Sequence, residues 1–447
     1  MWRRWLFWTH LVAGVVAGVV ILVMSLTGAL IAFEKQLVAR AEGASRRAEP
    51  PSEGTAPLSL QSLVERLRTE QGRPPLAMTI HADPSLAVEV MMGGDELFYW
   101  DPYTGELRPA SARGTRSALR ALTAWHRWLG LEGERRSWGK AVTGACNLAF
   151  VVLILTGAVL WWPSGRGANR WRMRLWFRPG VRGRARDWHW HHVLGLWCGP
   201  VLLVLSGSAI VISYAWAARW VQSLGSTEDA GTRVPAAETR SPEAAVTPGG
   251  QPAALDEVWA RVRERVPDWQ TATIRFGAAP RGRSGAGRTA SGGGRTTAGA
   301  DSERLERGAP SGTAGPGQPD RDPSGGRPEG PRSGGAPSTL SFSVREKGAW
   351  PVFATVQIVA DARSGRILSV QRFSDQPLGR RLRAWLRFLH TGEAFGWPGQ
   401  LIAMTASLGA VVLVWTGLAL SWRRFFGKRA TVPAGTTGST GPVSGTG

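Results

Sequence analysis

The chain has 447 residues, a formal charge of +21 from 54 Lys and Arg against 33 Asp and Glu, and only two cysteines. Two cysteines are too few for an iron–sulfur cluster, which needs about four, and neither Cys146 nor Cys198 lies in a C-x-x-C-H sequence for covalent cofactor attachment. The positive charge does not mark a nucleic-acid binder, because it is divided among short loops beside apolar segments and a Gly- and Arg-rich tract.

In chain order, residues 1–33 hold a basic leader, Met-Trp-Arg-Arg-Trp, then His10 and the apolar run Leu11–Phe33. A hydrocarbon core of about 30 Å needs about 20 apolar residues. This run is long enough to span and too long for a typical signal-peptide core, so it is expected to be an uncleaved anchor. Residues 34–140 open with an amphipathic helical pattern, Leu58 to Arg68. Alternating runs at Ala77–His81, Ala87–Met91 and Glu96–Trp100 follow, then the turn Asp101-Pro-Tyr-Thr-Gly105. The segment closes with His126, approached through Gly130, Gly133 and Gly139, which suggest an interfacial helix or bend.

The second span is 141–162. A basic loop, 163–190, carries eight arginines and no acid before Asp187. The third span, 191–214, begins in a cluster of His189, His191 and His192. Residues 215–399 repeat the earlier plan: a helical pattern at Ala254–Arg263, strands at Thr271–Phe276, Thr339–Val344 and Ala354–Val359, the turn Asp361-Ala-Arg-Ser-Gly365, then His390. Within this segment the insert 277–337 is Gly-, Arg-, Ser- and Pro-rich and is expected to be disordered, as is the tail 423–447. The fourth span is 400–422. The fold class expected is therefore an α-helical membrane protein, with four transmembrane helices as a duplicated two-helix unit and two small α+β modules.

Arg3 and Arg4, the 163–190 loop, and Arg423, Arg424, Lys428 and Arg429 all fall on one side, which the positive-inside rule makes the cytoplasm. Both termini are then cytoplasmic and the two long segments outside, with Trp residues anchoring the span ends in lipid headgroups.

Sixteen residues separate His10 from Thr27-Gly28, and sixteen separate His191 from Ser208-Ala209. In the oppositely directed spans, His126 precedes Thr156-Gly157 and His390 precedes Thr416-Gly417. This sorts four histidines into two pairs, His10 with His191 at one face and His126 with His390 at the other. A single interfacial histidine is ordinarily just an amphipathic residue; four in register across a duplication point to ligands. Zinc is a competing use, but two histidines per site with no Cys or acid at ligand spacing suit axial haem iron better. His192 is the second choice for the position given to His191. The Gly and Ala of the small pairs either leave room for a flat macrocycle or serve helix packing. Arg127 and Arg387, with Arg383 and Arg186, either meet haem propionates or snorkel to the interface. No residue is assigned a general acid–base role.

The segments Trp8-Thr-His10-Leu-Val-Ala-Gly14, Met24-Ser-Leu-Thr-Gly28, Trp125-His126-Arg-Trp-Leu-Gly130, Leu155-Thr-Gly-Ala-Val-Leu-Trp-Trp162, Asp187-Trp-His-Trp-His191-His-Val-Leu-Gly195, Phe388-Leu-His390-Thr-Gly392 and Trp415-Thr-Gly-Leu-Ala-Leu-Ser-Trp422 together resemble the PepSY-associated transmembrane family. That family includes iron-regulated inner-membrane proteins and ferric-siderophore reductases. Ser208-Ala209 departs from its more usual Thr-Gly, and the 277–337 insert departs as well. The resemblance implies two b-type haems in a multi-pass inner-membrane protein with PepSY-like modules in the periplasm. Electrons would come from quinol or a separate cytoplasmic reductase and go to a periplasmic acceptor such as ferric siderophore, with lipid around the spans. The alternative is a non-enzymatic, membrane-anchored PepSY binding or regulatory protein.

Overall fold

The computed structural model describes residues 1–50, 52, 54–93, 96–162, 174–224, 253–276 and 339–426. The insert 277–337, the first part of the 163–190 loop and nearly all of the tail lie outside the described residues. The helices of eight residues or more are α1 (Trp2–Ile31), α2 (Glu34–Glu42), α3 (Leu60–Gln71), α4 (Arg113–Trp128), α5 (Arg136–Trp161), α6 (Gly183–Ser213), α7 (Ala215–Ser223), α8 (Leu255–Arg265), α9 (Leu378–His390) and α10 (Gly396–Phe425). The chain divides into two compact units, one comprising Met1–Leu37, Gly114–Thr227 and Pro377–Gly447, the other Val38–Arg113 and Glu228–Gln376.

The first unit is helical. α1, α5, α6 and α10 are long and apolar enough to cross a membrane. At 1.5 Å per residue the 30 residues of α1 cover about 45 Å, well beyond the hydrocarbon core. The helices therefore begin earlier than the apolar runs: α1 starts at Trp2 and α6 at Gly183, so His10 and His191 lie inside helices rather than before them. The leader around Trp5 and Trp8 contains no helix breaker, and its amphipathic residues can continue a helix through the headgroup region. Each of α1 and α6 packs on both α5 and α10, which closes a four-helix ring.

Apolar surface gains nothing by leaving lipid for protein, so the contacts rely on small residues that let helices approach. A Cβ at Gly18 would already lie 3.5 Å from Val414 and Leu418, and one at Gly409 would overlap the Cys198 sulfur. Asn147, buried in α5, donates from Nδ2 to the Ser206 carbonyl of α6 at 3.0 Å.

Two elbows fold the amphipathic helices α4 and α9 back on the spans that follow them. Between α4 and α5, Gly139 passes so close to the Trp128 carbonyl that no Cβ fits, and the Thr143 hydroxyl donates to the Arg127 carbonyl at 3.0 Å. Between α9 and α10, Gly392 has φ +75°, and a Cβ there would stand 2.7 Å from the Cα of Gln400. Only glycine meets both demands without strain.

The second unit is one antiparallel sheet in the order β4-β3-β2-β1-β5-β6-β7-β8. Its strands are β1 (Ala77–His81), β2 (Val88–Met91), β3 (Leu97–Trp100), β4 (Leu107–Pro109), β5 (Trp269–Phe276), β6 (Thr339–Glu346), β7 (Val356–Asp361) and β8 (Ile367–Gln371). Met78, Val90, Ile274, Phe342 and Ile358 alternate onto the face that buries Leu63, Leu67, Val258 and Val262 of α3 and α8. Two separate modules are expected from sequence; instead β1 and β5 pair from Ala77↔Arg275 to His81↔Thr271, joining the two segments. An unpaired inner edge on either half would leave a row of backbone donors and acceptors open, and the pairing removes it.

β4 and β8, after the two Gly turns, escape the sequence pattern because β4 has three residues and β8 shows no buried alternation. The turns themselves form as expected, with Asp101 Oδ1 accepting from Tyr103 N at 2.9 Å and Asp361 Oδ1 from Arg363 N at 2.8 Å. The two helices cap each other: Asp256 accepts from Leu60 N at 2.8 Å, while Gln61 Oε1 accepts from Leu255 N at 3.2 Å. His81, at the end of β1, lies 3.6 Å from Glu89.

Candidate functional site

The helical unit brings the four singled-out histidines into two pairs. His10 of α1 faces His191 of α6 with ring centres 6.3 Å apart, and His126 of α4 faces His390 of α9 at 6.2 Å. Seventeen residue steps of α1, about 25 Å, separate His10 from Thr27, which His126 contacts at 3.3 Å. The pairs therefore sit toward opposite ends of the ring.

All four imidazoles are held by Nδ1. His10 Nδ1 is 3.0 Å from Thr156 Oγ1, and His191 Nδ1 is 3.0 Å from Thr416 Oγ1. Each hydroxyl already donates to the carbonyl four residues back in its own helix, Val152 at 2.6 Å and Val412 at 2.8 Å. Its remaining capacity is as an acceptor, so Nδ1 carries the proton. In the other pair the carbonyl leads: His126 Nδ1 donates to Met24 O at 2.9 Å and His390 Nδ1 to Leu205 O at 2.9 Å. There the Thr27 and Ser208 hydroxyls stand off at 3.3 Å. For His10 and His191 the corresponding carbonyls are those of Leu153 and Leu413. With Nδ1–H committed, Nε2 keeps its lone pair, and among the described residues nothing donates to it.

Such a tautomer, fixed by an acceptor on a neighbouring helix, is one that metal-binding histidines commonly adopt. The spacing agrees. Metal–nitrogen bonds of about 2 Å, with about 1.1 Å from nitrogen to ring centre on either side, place two imidazoles across one metal about 6.2 Å apart. Burial favours the neutral form of His126 and of His390. It pushes His126 down to about 4, against its bond to the Met24 carbonyl, which raises it, and it lowers His390.

The small residues after the hydroxyls do something the sequence reading did not foresee. A Cβ at Gly28 would meet His126 Cε1 at 3.1 Å, one at Gly157 would meet His10 Cε1 at 3.2 Å, and one at Gly417 would meet His191 Cε1 at 3.4 Å. These glycines make room for the imidazole ring itself. Part of the signal was present in the sequence: His10 to Thr27 and His191 to Ser208 span the same interval, on helices that each run antiparallel to the neighbour carrying the matching hydroxyl. Ser208 preserves the hydroxyl, and Ala209 occupies the fourth small position.

The other candidates separate. His192 donates from Nδ1 to the Trp188 carbonyl of its own helix at 2.9 Å and stacks on that indole at 3.9 Å. His189 accepts from Arg178 N at 3.0 Å. Neither ring faces His10 as His191 does. Arg186 pairs with Asp187 at 2.9 Å, and Arg423 approaches the same buried carboxylate at 2.8 Å, a cluster with no sequence signal beyond the lone acid after an Arg-rich stretch. Arg127 and Arg387 lie at the His126–His390 end.

Four apolar helices closed into a ring, with a pair of Nδ1-anchored histidines toward each end, define a polytopic membrane protein with two candidate metal-ligand sites. The family model of the PepSY-associated TM region matches residues 7–424, and the chain belongs to that family. No curated protein matches it.

Proposed function

We propose that the protein is an inner-membrane electron-transfer protein that holds two b-type haems, one between His10 and His191 and one between His126 and His390. It would reduce an acceptor outside the membrane, most simply iron(III) in a siderophore. The observation that carries this reading is the twice-repeated pair of Nδ1-anchored imidazoles at the separation of two ligands across one metal. When bound, the haem supplies a one-electron couple. The chain supplies the rest. Thr156 and Thr416 orient the ligands of one pair, the Met24 and Leu205 carbonyls those of the other, and the glycines let the rings seat against the helices. Lipid and apolar side chains exclude water from the ring of spans.

The Arg-rich ends of the spans support cytoplasmic termini and a cytoplasmic His10–His191 pair, with quinol or a separate reductase as donor. The His126–His390 pair, carried on amphipathic helices, is then the exit toward the periplasm. The matching halves of sheet and bundle fit a duplicated unit whose two sheet-forming segments are PepSY-like modules.

The test is the visible spectrum of the detergent-purified, full-length protein, oxidised and dithionite-reduced, with pyridine haemochrome quantitation. Sharp reduced bands and two haems per chain are expected. A colourless protein from haem-replete cells overturns the proposal and favours a membrane-anchored binding or regulatory protein.

A further inference from the structure

The two histidine pairs stand in different charge environments. Beside His10 and His191, Arg186 and Arg423 share the buried Asp187. Beside His126 and His390 there are three guanidiniums, and among the described residues none of them pairs with a carboxylate. Arg127 follows His126 directly. Its guanidinium lies 4.7 Å from the centre of the Trp128 ring, and that of Arg136 lies 3.5 Å from the same ring. Arg387 is three residues before His390, on the same side of α9. Arg136 and Arg387 are also the two cations whose charge bears on Arg127, adding to the effect of its partial burial. Arg127 and Arg136 share one indole, while Arg387 lies 6.0 Å from the centre of the Phe388 ring. Like charges gathered at this end repel one another, and the arrangement becomes favourable once an anion joins them. Guanidinium matches a carboxylate bidentately, and the Trp128 ring holds two of the three forks in place.

We propose that Arg127, Arg136 and Arg387 form a carboxylate-binding cradle beside the His126–His390 pair. The carboxylate has two possible sources, the propionates of a bound haem or the ligand shell of an anionic iron chelate. The first source rests on the function proposed above, whereas the second does not need a haem in place.

The experiment uses the full-length protein with Arg136→Gln, Arg387→Gln and their double variant, each matched by the Arg→Lys change. Resonance Raman spectra report the propionate bending band. Calorimetric titration reports binding of ferric citrate, with an uncharged ferric trihydroxamate as comparison. If propionates fill the cradle, the bending band shifts in the Gln variants while citrate affinity holds. If the chelate fills it, citrate affinity falls about tenfold in the double variant, the trihydroxamate is unaffected, and the band holds. The Lys variants, which retain charge but lose the fork, fall between. Wild-type protein without haem would end the proposed function yet leave the citrate titration decisive. A double variant with an unshifted band, where haem is present, and unchanged citrate affinity overturns the cradle.

Discussion

The His10–His191 and His126–His390 pairs share one plan carried out with different materials. The first pair sits on the spans themselves, and its rings are steadied chiefly by side-chain hydroxyls at 3.0 Å. The second sits on amphipathic helices outside the spans and is steadied chiefly by backbone carbonyls at 2.9 Å. A hydroxyl can be removed by mutation and a carbonyl cannot, so the first pair depends more on its Thr residues and the second on its elbows. The difference teaches that one arrangement of paired imidazoles can be fixed by side chains at one end of a bundle and by backbone path at the other.

Under the proposed function, removal of one of the four histidines is the coarsest way to break the comparison and has the largest expected effect. His10→Ala and His126→Ala should each lower haem content from two per chain to one, and the double variant should carry none, as measured by pyridine haemochrome. If either single change emptied both sites, the pairs would not be independent.

Changes at the hydroxyls that hold Nδ1 sharpen it. Thr156→Val or Thr416→Val removes the main acceptor of Nδ1–H, and changes of this kind typically cost 10–100-fold in affinity. Haem affinity of the His10–His191 site should fall by about that range, read by haem titration of the apoprotein. Thr27→Val and Ser208→Ala leave the Met24 and Leu205 carbonyls in place and should cost less than about threefold. Equal losses at both ends would refute the distinction drawn between them.

A smaller effect is expected from the glycines. Gly28→Ala sets a methyl 3.1 Å from His126 Cε1, whereas Gly417→Ala sets one 3.4 Å from His191 Cε1. The first must push its ring aside by a few tenths of an ångström. Its site should show the larger change in reduction potential, with Gly417→Ala close to wild type. The reverse order would show that the rings do not bear on these positions.

The smallest effect on either pair should come from the sheet unit. Asp256→Ala removes the acceptor of the Leu60 and Gln61 N–H groups at the start of α3 while leaving the Ser59 cap in place, and should lower that unit's stability by about 1 kcal/mol, seen as a shift in its denaturation midpoint. Both haem spectra should stay as they are.

Much of this was legible in advance. The four spans announce themselves because about 20 apolar residues in a row have few other uses, and β1, β2, β3, β5, β6 and β7 follow the period-two pattern that a half-buried strand requires. The grouping of His10, His126, His191 and His390 followed from register along a repeated plan. β4 and β8 were not visible, because short strands with little buried alternation resemble loop. Asp187 gave no sign that Arg423, more than 200 residues away, would reach it.

By itself, then, the sequence determined the number and extent of the apolar segments, the charge asymmetry of their ends, and the matched intervals from histidine to hydroxyl. These are one-dimensional quantities set by helix rise and bilayer thickness. Only the tertiary structure decided that the two segments build one sheet, that Nδ1 of each histidine is the tethered nitrogen, and that the glycines seat the rings. It also brought Arg127 and Arg136 to the same indole. Those outcomes depend on which backbone atoms of one helix lie within about 3 Å of a side chain on another, a hydrogen-bond distance that spacing along the chain does not encode.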